Sequence, residues 1–306
     1  MPNFSFSKLI PGGNPTIILH EPALDAAALA ALSARLMDPL HLGGEQVGAL
    51  YCKAADEGAG LPRLQMMGGE FCVNASRAAA FLLARQGCLI RLAGSLPDCL
   101  ASADACGAPA PGSVWSGQIL VSGLDRPVSV LVAGDGNAQA QVAARVDCSA
   151  PNTTIDTLCQ ALRPGVTLVH MPGMVHALID AARHPLPDFE SNVWREASAR
   201  LRRECGLGDA PASGIIWFRQ EEHGFRIWPA VEVKATLSEH LESACGSASL
   251  AVALWRWQHT DAGPVTVLQP SGEALRVFPD LEPDAGPGRV WITGPVLLAA
   301  EGIVHI

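Results

Sequence analysis

The sequence predicts a strand-rich α+β fold with two pseudo-symmetric lobes, each wrapped around a central helix. Three observations predict it. Many short apolar runs end at Gly, Pro or Asp, only four segments repeat apolar residues at helical spacing, and two of those four open on a cysteine.

The strand signals come first. "TIILH" (16–20), "VGALYC" (47–52), "QILVS" (118–122), "VSVLVAG" (128–134), "VTLVH" (166–170), "GIIWF" (214–218), "VTVLQ" (265–269) and "VWIT" (290–293) are rich in β-branched residues and too short for helices. "GDGN" (134–137) and "PSG" (270–272) are turn signals, so much of the sheet is expected to be antiparallel.

Four helices separate these runs. The first follows Asp25, a good N-cap, places Leu29, Leu32 and Leu36 on one face, and ends before Pro39. The second opens near Cys72 and stops at Gly87, the third spans about 192–204 and ends before Gly206, and the fourth opens near Cys245.

The second and fourth helices resemble each other. Set against "CGSASLAVALW" from Cys245, "CVNASRAAAFL" from Cys72 matches at five of eleven positions: the cysteines, Ala75 with Ala248, Ser76 with Ser249, Ala78 with Ala251 and Ala80 with Ala253. Alanine is abundant, so the informative part is a cysteine at each helix start followed by a small or polar pair. An internal duplication is the expectation, with lobes of 1–150 and 151–306 meeting in the polar "DCSAPNTT" and the last strand returning to the first lobe.

Composition limits the function. A net charge of −9 with dispersed basic residues disfavours nucleic acid, and no apolar run approaches the roughly 18 residues of a membrane span. The opening "MPNFSFSKLIPGGNPTIILH" lacks the features of a signal peptide, and the nine cysteines are an odd number, so reduced thiols in the cytoplasm are expected. No C-x-x-C occurs, Cys99 and Cys106 have no histidine pair nearby, and phosphate-binding glycine patterns are missing. Neither a metal nor a nucleotide is expected.

A thiol at a helix start has a chemical use. The first-turn N–H groups and the positive end of the helix dipole favour anions and favour thiolate over thiol. Two such starts facing each other would hold a substrate carboxylate through the amides of Val73, Asn74, Gly246 and Ser247, with Cys72 and Cys245 on opposite sides of the neighbouring carbon. One thiolate then takes the α-proton while the other thiol delivers one to the opposite face, inverting the stereocentre without a cofactor. The dipole alone contributes about 0.3–2 kcal/mol, far below the roughly 8–23 kcal/mol that enzymes remove. Aligned amide donors at the developing enolate, worth about 3 kcal/mol each, supply more.

"PGGNPTIIL", "EFCVNA" and "SACGSASLA" resemble the opening segment and the two cysteine motifs of the diaminopimelate epimerase-fold family, cofactor-independent amino-acid racemases and epimerases. Within it, "FSKLIPGGNPTIILH", "GEQVGALY", "GGEFCVNAS", "ESACGSAS" and "LQPSGEALRV" are most similar to the histidine racemase branch, which supplies D-histidine for staphylopine-type metallophores. The resemblance covers about 4–83 and 214–306 and implies a catalytic cysteine pair, no cofactor, a small amino-acid substrate and a homodimer. Diaminopimelate itself is disfavoured, because Thr236 and Leu237 stand where those epimerases carry a Glu-Arg pair. Phenazine-type isomerases share the fold but use an acidic residue in place of the cysteines.

For the remaining candidates two readings stand side by side. Asn14 is a turn former before Pro15 or, by the resemblance, a contact for the substrate's carboxylate or amine. Glu45, beside Gln46, is a solvated loop acid or reads an imidazole or amino group, and Glu242 is a helix-capping acid or a second polar contact. His170 and His176 flank "MPGMV" as structural histidines or as site residues. A non-catalytic thiol or ligand-binding protein on the same fold is the rival to the enzyme.

Overall fold

A computed structural model describes residues 2–52, 60–93, 100, 113–134, 137–148, 154–236, 238–282, 285–286 and 288–306. The "GDGN" turn at Asp135 and Gly136, the expected lobe boundary at 150, Leu237, Cys99 and Cys106 lie outside these residues. The chain divides into one unit of Met1–Val146 with Trp291–Ile306 and a second of Asp147–Val290.

In the first unit eight strands close on themselves. They are β1 (Asn3–Pro11), β2 (Thr16–His20), β3 (Gln46–Tyr51), β4 (Arg63–Met66), β6 (Ser113–Val121), β7 (Val128–Gly134), β8 (Gln139–Asp147) and β17 (Arg289–His305), paired in that order and shut by β17 against β1. The short β5 (Ile90–Leu92) pairs outside this ring on β6. Closure removes every free edge from the eight strands. The pairing of β17 with β1 runs antiparallel from Asn3 opposite His305 to Pro11 opposite Val296, so the two ends of the chain complete the sheet.

Helix α1 (Ala26–Met37) is capped by Asp25, whose carboxylate accepts from the Ala28 N–H at 2.8 Å. Its Leu29, Leu32 and Leu36 pack with Phe6, Ile17, Leu19, Val47 and Val304. Helix α2 (Val73–Arg85) is different, because Val73 to Ala84 are all buried. A helix without a solvent face must be enclosed by its neighbours, and α2 contacts β1, β2, β3, β4, β6 and β7. Alanines at 75, 78, 79 and 80 keep it slim enough for that. Arg77, also fully buried, reaches the remaining two strands, donating from Nε to the Val142 carbonyl and from Nη2 to that of Pro295, both at 3.1 Å. Burial pulls its guanidinium down to about 9. Arg77→Ala opens a cavity and strips a donor from both carbonyls at the β8–β17 seam; a loss of about 2–5 kcal/mol is expected in urea unfolding.

The second unit carries β9 (Cys159–Arg163), β10 (Val166–Met171), β11 (Met174–Asp180), β12 (Ala212–Glu221), β13 (Gly224–Val233), β14 (Ser238–Leu241), β15 (Val265–Leu268) and β16 (Ala274–Pro279). Most neighbours are antiparallel, but β11–β12 and β13–β15 run parallel. A one-turn helix α3 (Ile155–Leu158) precedes β9, and α4 (Val193–Glu204) lays Trp194 and Leu201 on Val166, Ile179, Ile215 and Trp217. Helix α5 (Gly246–His259) contacts β9, β10, β11, β12, β13, β15 and β16.

The expected α+β class is corrected by this architecture. Strands take 45% of the described residues and helices 22%, and in the first unit the organising element is a closed eight-strand sheet with α2 enclosed by it, in place of the expected α+β lobe of the diaminopimelate epimerase type. The physical reason lies in strands without a β-branched run. "NFSFSKLIP" alternates burial only from its middle onward, and β17 continues through Gly294-Pro295 for 17 residues where "VWIT" suggested four.

Candidate active site

Cys72 is the N-cap of α2. Its backbone is extended (φ −130°, ψ 115°), and its sulfur accepts from the Ala75 N–H at 3.3 Å, the place an N-cap oxygen usually fills. The thiol donates to Gln46 Oε1 at 2.8 Å, and the Ser76 hydroxyl ties down the Cys72 carbonyl at 2.7 Å. Gln46 opens β3, and the residue before it, Glu45, accepts from Asn14 Nδ2 at 2.8 Å. Asn14 Oδ1 in turn accepts from the Thr16 hydroxyl at 3.0 Å, which fixes the amide's orientation. Asn14 and Glu45 thus form one hydrogen-bonded pair of the first unit and Gln46 and Cys72 another, linked by the succession of Glu45 and Gln46 in the chain, and Val73 and Asn74 are buried in the first turn of α2.

Cys245 caps α5 in the same extended conformation (φ −131°, ψ 108°). Its carbonyl accepts from the Ser249 hydroxyl at 2.8 Å, as that of Cys72 does from Ser76. Gln269 anchors this turn from β15's end: its Oε1 accepts from the Cys245 N–H at 2.9 Å, while its Nε2 donates to Ser249 Oγ at 3.0 Å. Burial pushes the Cys245 thiol well above its ordinary value, and the Glu242 carboxylate beside it adds to the rise, against the opposing Ser247 hydroxyl and Ala248 N–H. Cys245 therefore rests as a thiol. Glu242 is buried, Gly246 is buried at the first helical position, and Ser247 Oγ lies 3.4 Å from Cys245 Sγ.

Three partners have only faint sequence signals. Gln46 sits beside the more conspicuous Glu45, Gln269 closes a strand run, and His176 reads as an ordinary buried histidine. His170 is exposed, whereas His176 is fully buried. The paired Ser76 and Ser249 were visible as matching columns of the two helices. Because Gln46 Oε1 accepts from the buried Cys72 thiol, Gln46→Leu removes this acceptor, and a loss of about 1–3 kcal/mol is expected in urea unfolding. Among the described residues no group of three or more His, Cys, Asp or Glu is arranged to hold a metal, and no helix among them is long and apolar enough to cross a membrane.

Burial pulls the His176 imidazole down to about 3 from an ordinary 6.5. Between those values the unfolded chain binds the proton and the folded one does not, so His176 contributes stability above about pH 6.5 that is lost as the pH falls toward 3. Urea unfolding is expected to weaken on acidification across that window, with a shallower slope in His176→Gln.

Residues 3–305 match the family model described as "Histidine racemase CntK N-terminal domain". The chain belongs to the histidine racemase family. A histidine racemase of Fusobacterium nucleatum subsp. nucleatum (strain ATCC 23726 / VPI 4351) is 27% identical over 305 residues, 98% of this chain and 97% of that protein. One of Staphylococcus aureus (strain Mu50 / ATCC 700699) is 41% identical over 71 residues, 23% of this chain and 25% of that protein. Among solved structures, a hydroxyproline epimerase from Agrobacterium vitis aligns with a TM-score of 0.60 at 13% identity, over 99% of this chain and 92% of that chain. A phenazine biosynthesis protein of the PhzF family from Enterococcus faecalis aligns at 0.55 and 12% identity, over 100% of both chains. This family member is thus an isomerase with the fold of the proline racemase and PhzF-type proteins, the finding that replaces the diaminopimelate epimerase-like expectation.

Proposed function

We propose that this family member interconverts L- and D-histidine by moving protons at the α-carbon between two thiols, Cys72 and Cys245. One observation carries the reading: of the seven described cysteines, only these two N-cap a helix, each with a polar side chain hydrogen-bonded to its sulfur. Family membership supports racemase chemistry, and the names of the relatives support histidine.

The division of labour follows from the electrostatics. Cys245, held as a thiol by burial and Glu242, is the proton donor of the resting enzyme, and Cys72 takes the α-proton in that half of the cycle. Gln46 serves Cys72 in both protonation states, because turning its amide over exchanges the Oε1 acceptor for an Nε2 donor. The substrate carboxylate is assigned to the amides of Val73, Asn74, Gly246 and Ser247, where enolate charge develops. Asn14 and Glu45 are assigned to the ammonium or imidazole.

The test is a chiral assay of the purified protein with each common L-amino acid and no added cofactor. The reading expects D-histidine from L-histidine and the reverse, both approaching a 1:1 mixture. Inversion of another amino acid in preference to histidine would move the specificity elsewhere, and inversion of none would leave a thiol or ligand-binding protein on a racemase fold.

A further inference from the structure

The far end of α2 brings two other sulfurs together. Cys52 follows the last residue of β3, and Cys88 stands two residues beyond Gln86, the C-cap of α2. The Cys52 thiol donates to Gln86 Oε1 at 2.9 Å, the Cys88 sulfur lies 3.9 Å from the Gln86 carbonyl oxygen, and the two sulfurs are in side-chain contact. Both are free thiols, Cys88 exposed and Cys52 half-buried.

Their backbones are fixed separately. Gly87, with φ +72°, ends α2 in a left-handed turn: its N–H donates to the Ala84 carbonyl at 3.2 Å, and the Cys88 N–H to that of Leu83 at 2.8 Å. On the strand side Glu21 adopts φ +46°, a region that costs a residue with a side chain energy. Its N–H donates to the Leu50 carbonyl at 3.0 Å, and its carboxylate accepts from the Cys52 N–H at 2.5 Å. Two pinned backbones thus hold two thiols against each other.

We propose that Cys52 and Cys88 are a disulfide-forming site, a reversible clasp between the end of β3 and the end of α2 that closes when peroxide reaches the protein. Hydrogen peroxide first converts the Cys88 thiol to a sulfenic acid and releases one water. The Cys52 sulfur then attacks the Cys88 sulfur, forming the S–S bond and releasing a second water, so one peroxide is reduced as two thiols are oxidised. Exposure sets this order. Solvent reaches Cys88, whereas burial, the adjoining Cys88 sulfur and the Glu21 carboxylate push the Cys52 thiol up to about 12. A thiol so reluctant to ionise reacts poorly with peroxide in solution, but contact makes its attack on Cys88 intramolecular. β3 and α2 already meet at their other ends, where Gln46 accepts from Cys72. The clasp closes a loop of residues 52–88 and so removes freedom from the unfolded chain.

The experiment treats the full chain with hydrogen peroxide, alkylates the remaining thiols with N-ethylmaleimide under denaturing conditions, and maps the unreduced tryptic digest by mass spectrometry. Trypsin releases Cys52 in 36–53, Cys72 in 64–77 and Cys88 in 86–91, each the only cysteine of its peptide. The expected product is 36–53 joined to 86–91, two hydrogens lighter than the separate peptides, while 64–77 is still recovered alkylated. Dithiothreitol should reverse it. Cys52→Ser is expected to lose the linked peptide and let Cys88 proceed to the sulfinic acid, and Cys88→Ser to leave Cys52 alkylated and unoxidised. The linked protein should melt about 4–8 °C above its reduced form, with no such shift in either variant. Cys88 recovered from the wild type as sulfinic acid or joined to Cys88 of a second chain, oxidation of Cys52 in Cys88→Ser, or equal midpoints for the linked and reduced forms overturns the proposal. None of these readouts depends on racemase activity or on its substrate.

Discussion

Serine in place of Cys72 or of Cys245 is expected to reduce histidine racemisation by about 10³-fold or more, which a polarimetric or chiral assay resolves. General acid–base catalysis contributes about 10²–10⁴-fold, and each proposed thiol must both take and give a proton in every complete cycle. A serine hydroxyl ionises far too reluctantly to take the α-proton. Folding should be spared, because serine is a better N-cap than cysteine and keeps an acceptor for the Ala75 N–H in α2. The Cys72 variant is therefore expected to unfold at or above the wild-type midpoint while turnover collapses. Near-wild-type turnover in one of them would remove that sulfur from the chemistry.

Gly123→Ala is the second large effect, and it acts from outside the polar group. Gly123 turns the chain between β6 and β7 with φ +78°, a conformation that a side chain disfavours. A Cβ there would stand 2.5 Å from the Phe71 N and 2.9 Å from the Glu70 carbonyl carbon, backbone atoms immediately ahead of Cys72. The preceding residue already fastens the same segment: the Ser122 hydroxyl accepts from the Met66 N–H and donates to the Glu70 carbonyl, both at 2.9 Å. Neither backbone can yield without moving the helix start. A loss of about 1–3 kcal/mol in urea unfolding is expected, together with about 10²-fold in turnover, since displacing a reacting group by about 1 Å costs that much. Retained activity in a destabilised Gly123→Ala would show that the Cys72 position tolerates such a shift.

The parts of the molecule legible in the sequence are those whose signals are local. Asp25 marks the start of α1, and the two cysteine helices announce themselves because N-cap position, small residues and the serine four places on are all encoded within one turn. The closed sheet is not local. Its seam joins Asn3–Pro11 to a strand about 300 residues away; the expected return of the last strand to the first lobe names the lobe, but nothing in "FSFSKLI" or "GPVLLAAEG" records which strand it meets. Hence an α+β class was expected where strands dominate. The same limit applies to the site: Gln46, Gln269 and His176 matter through contacts 20 or more residues away in sequence, 26 to Cys72, 24 to Cys245 and 71 to Ser247. A buried glutamine or histidine looks the same in a sequence whether it faces a sulfur or a carbonyl.

The most direct measurement of the two-thiol mechanism is solvent isotope entry in a single direction at early conversion. In deuterium oxide, L-histidine should give D-histidine that carries deuterium at the α-carbon from the first turnovers, while the L-histidine recovered alongside stays largely protiated, because one group removes the proton and a different one delivers its replacement. The D to L direction should behave as the mirror image. Product that retains the original α-hydrogen, or deuterium that enters the starting enantiomer without inversion, would contradict a pair of sulfurs acting on opposite faces of one carbon.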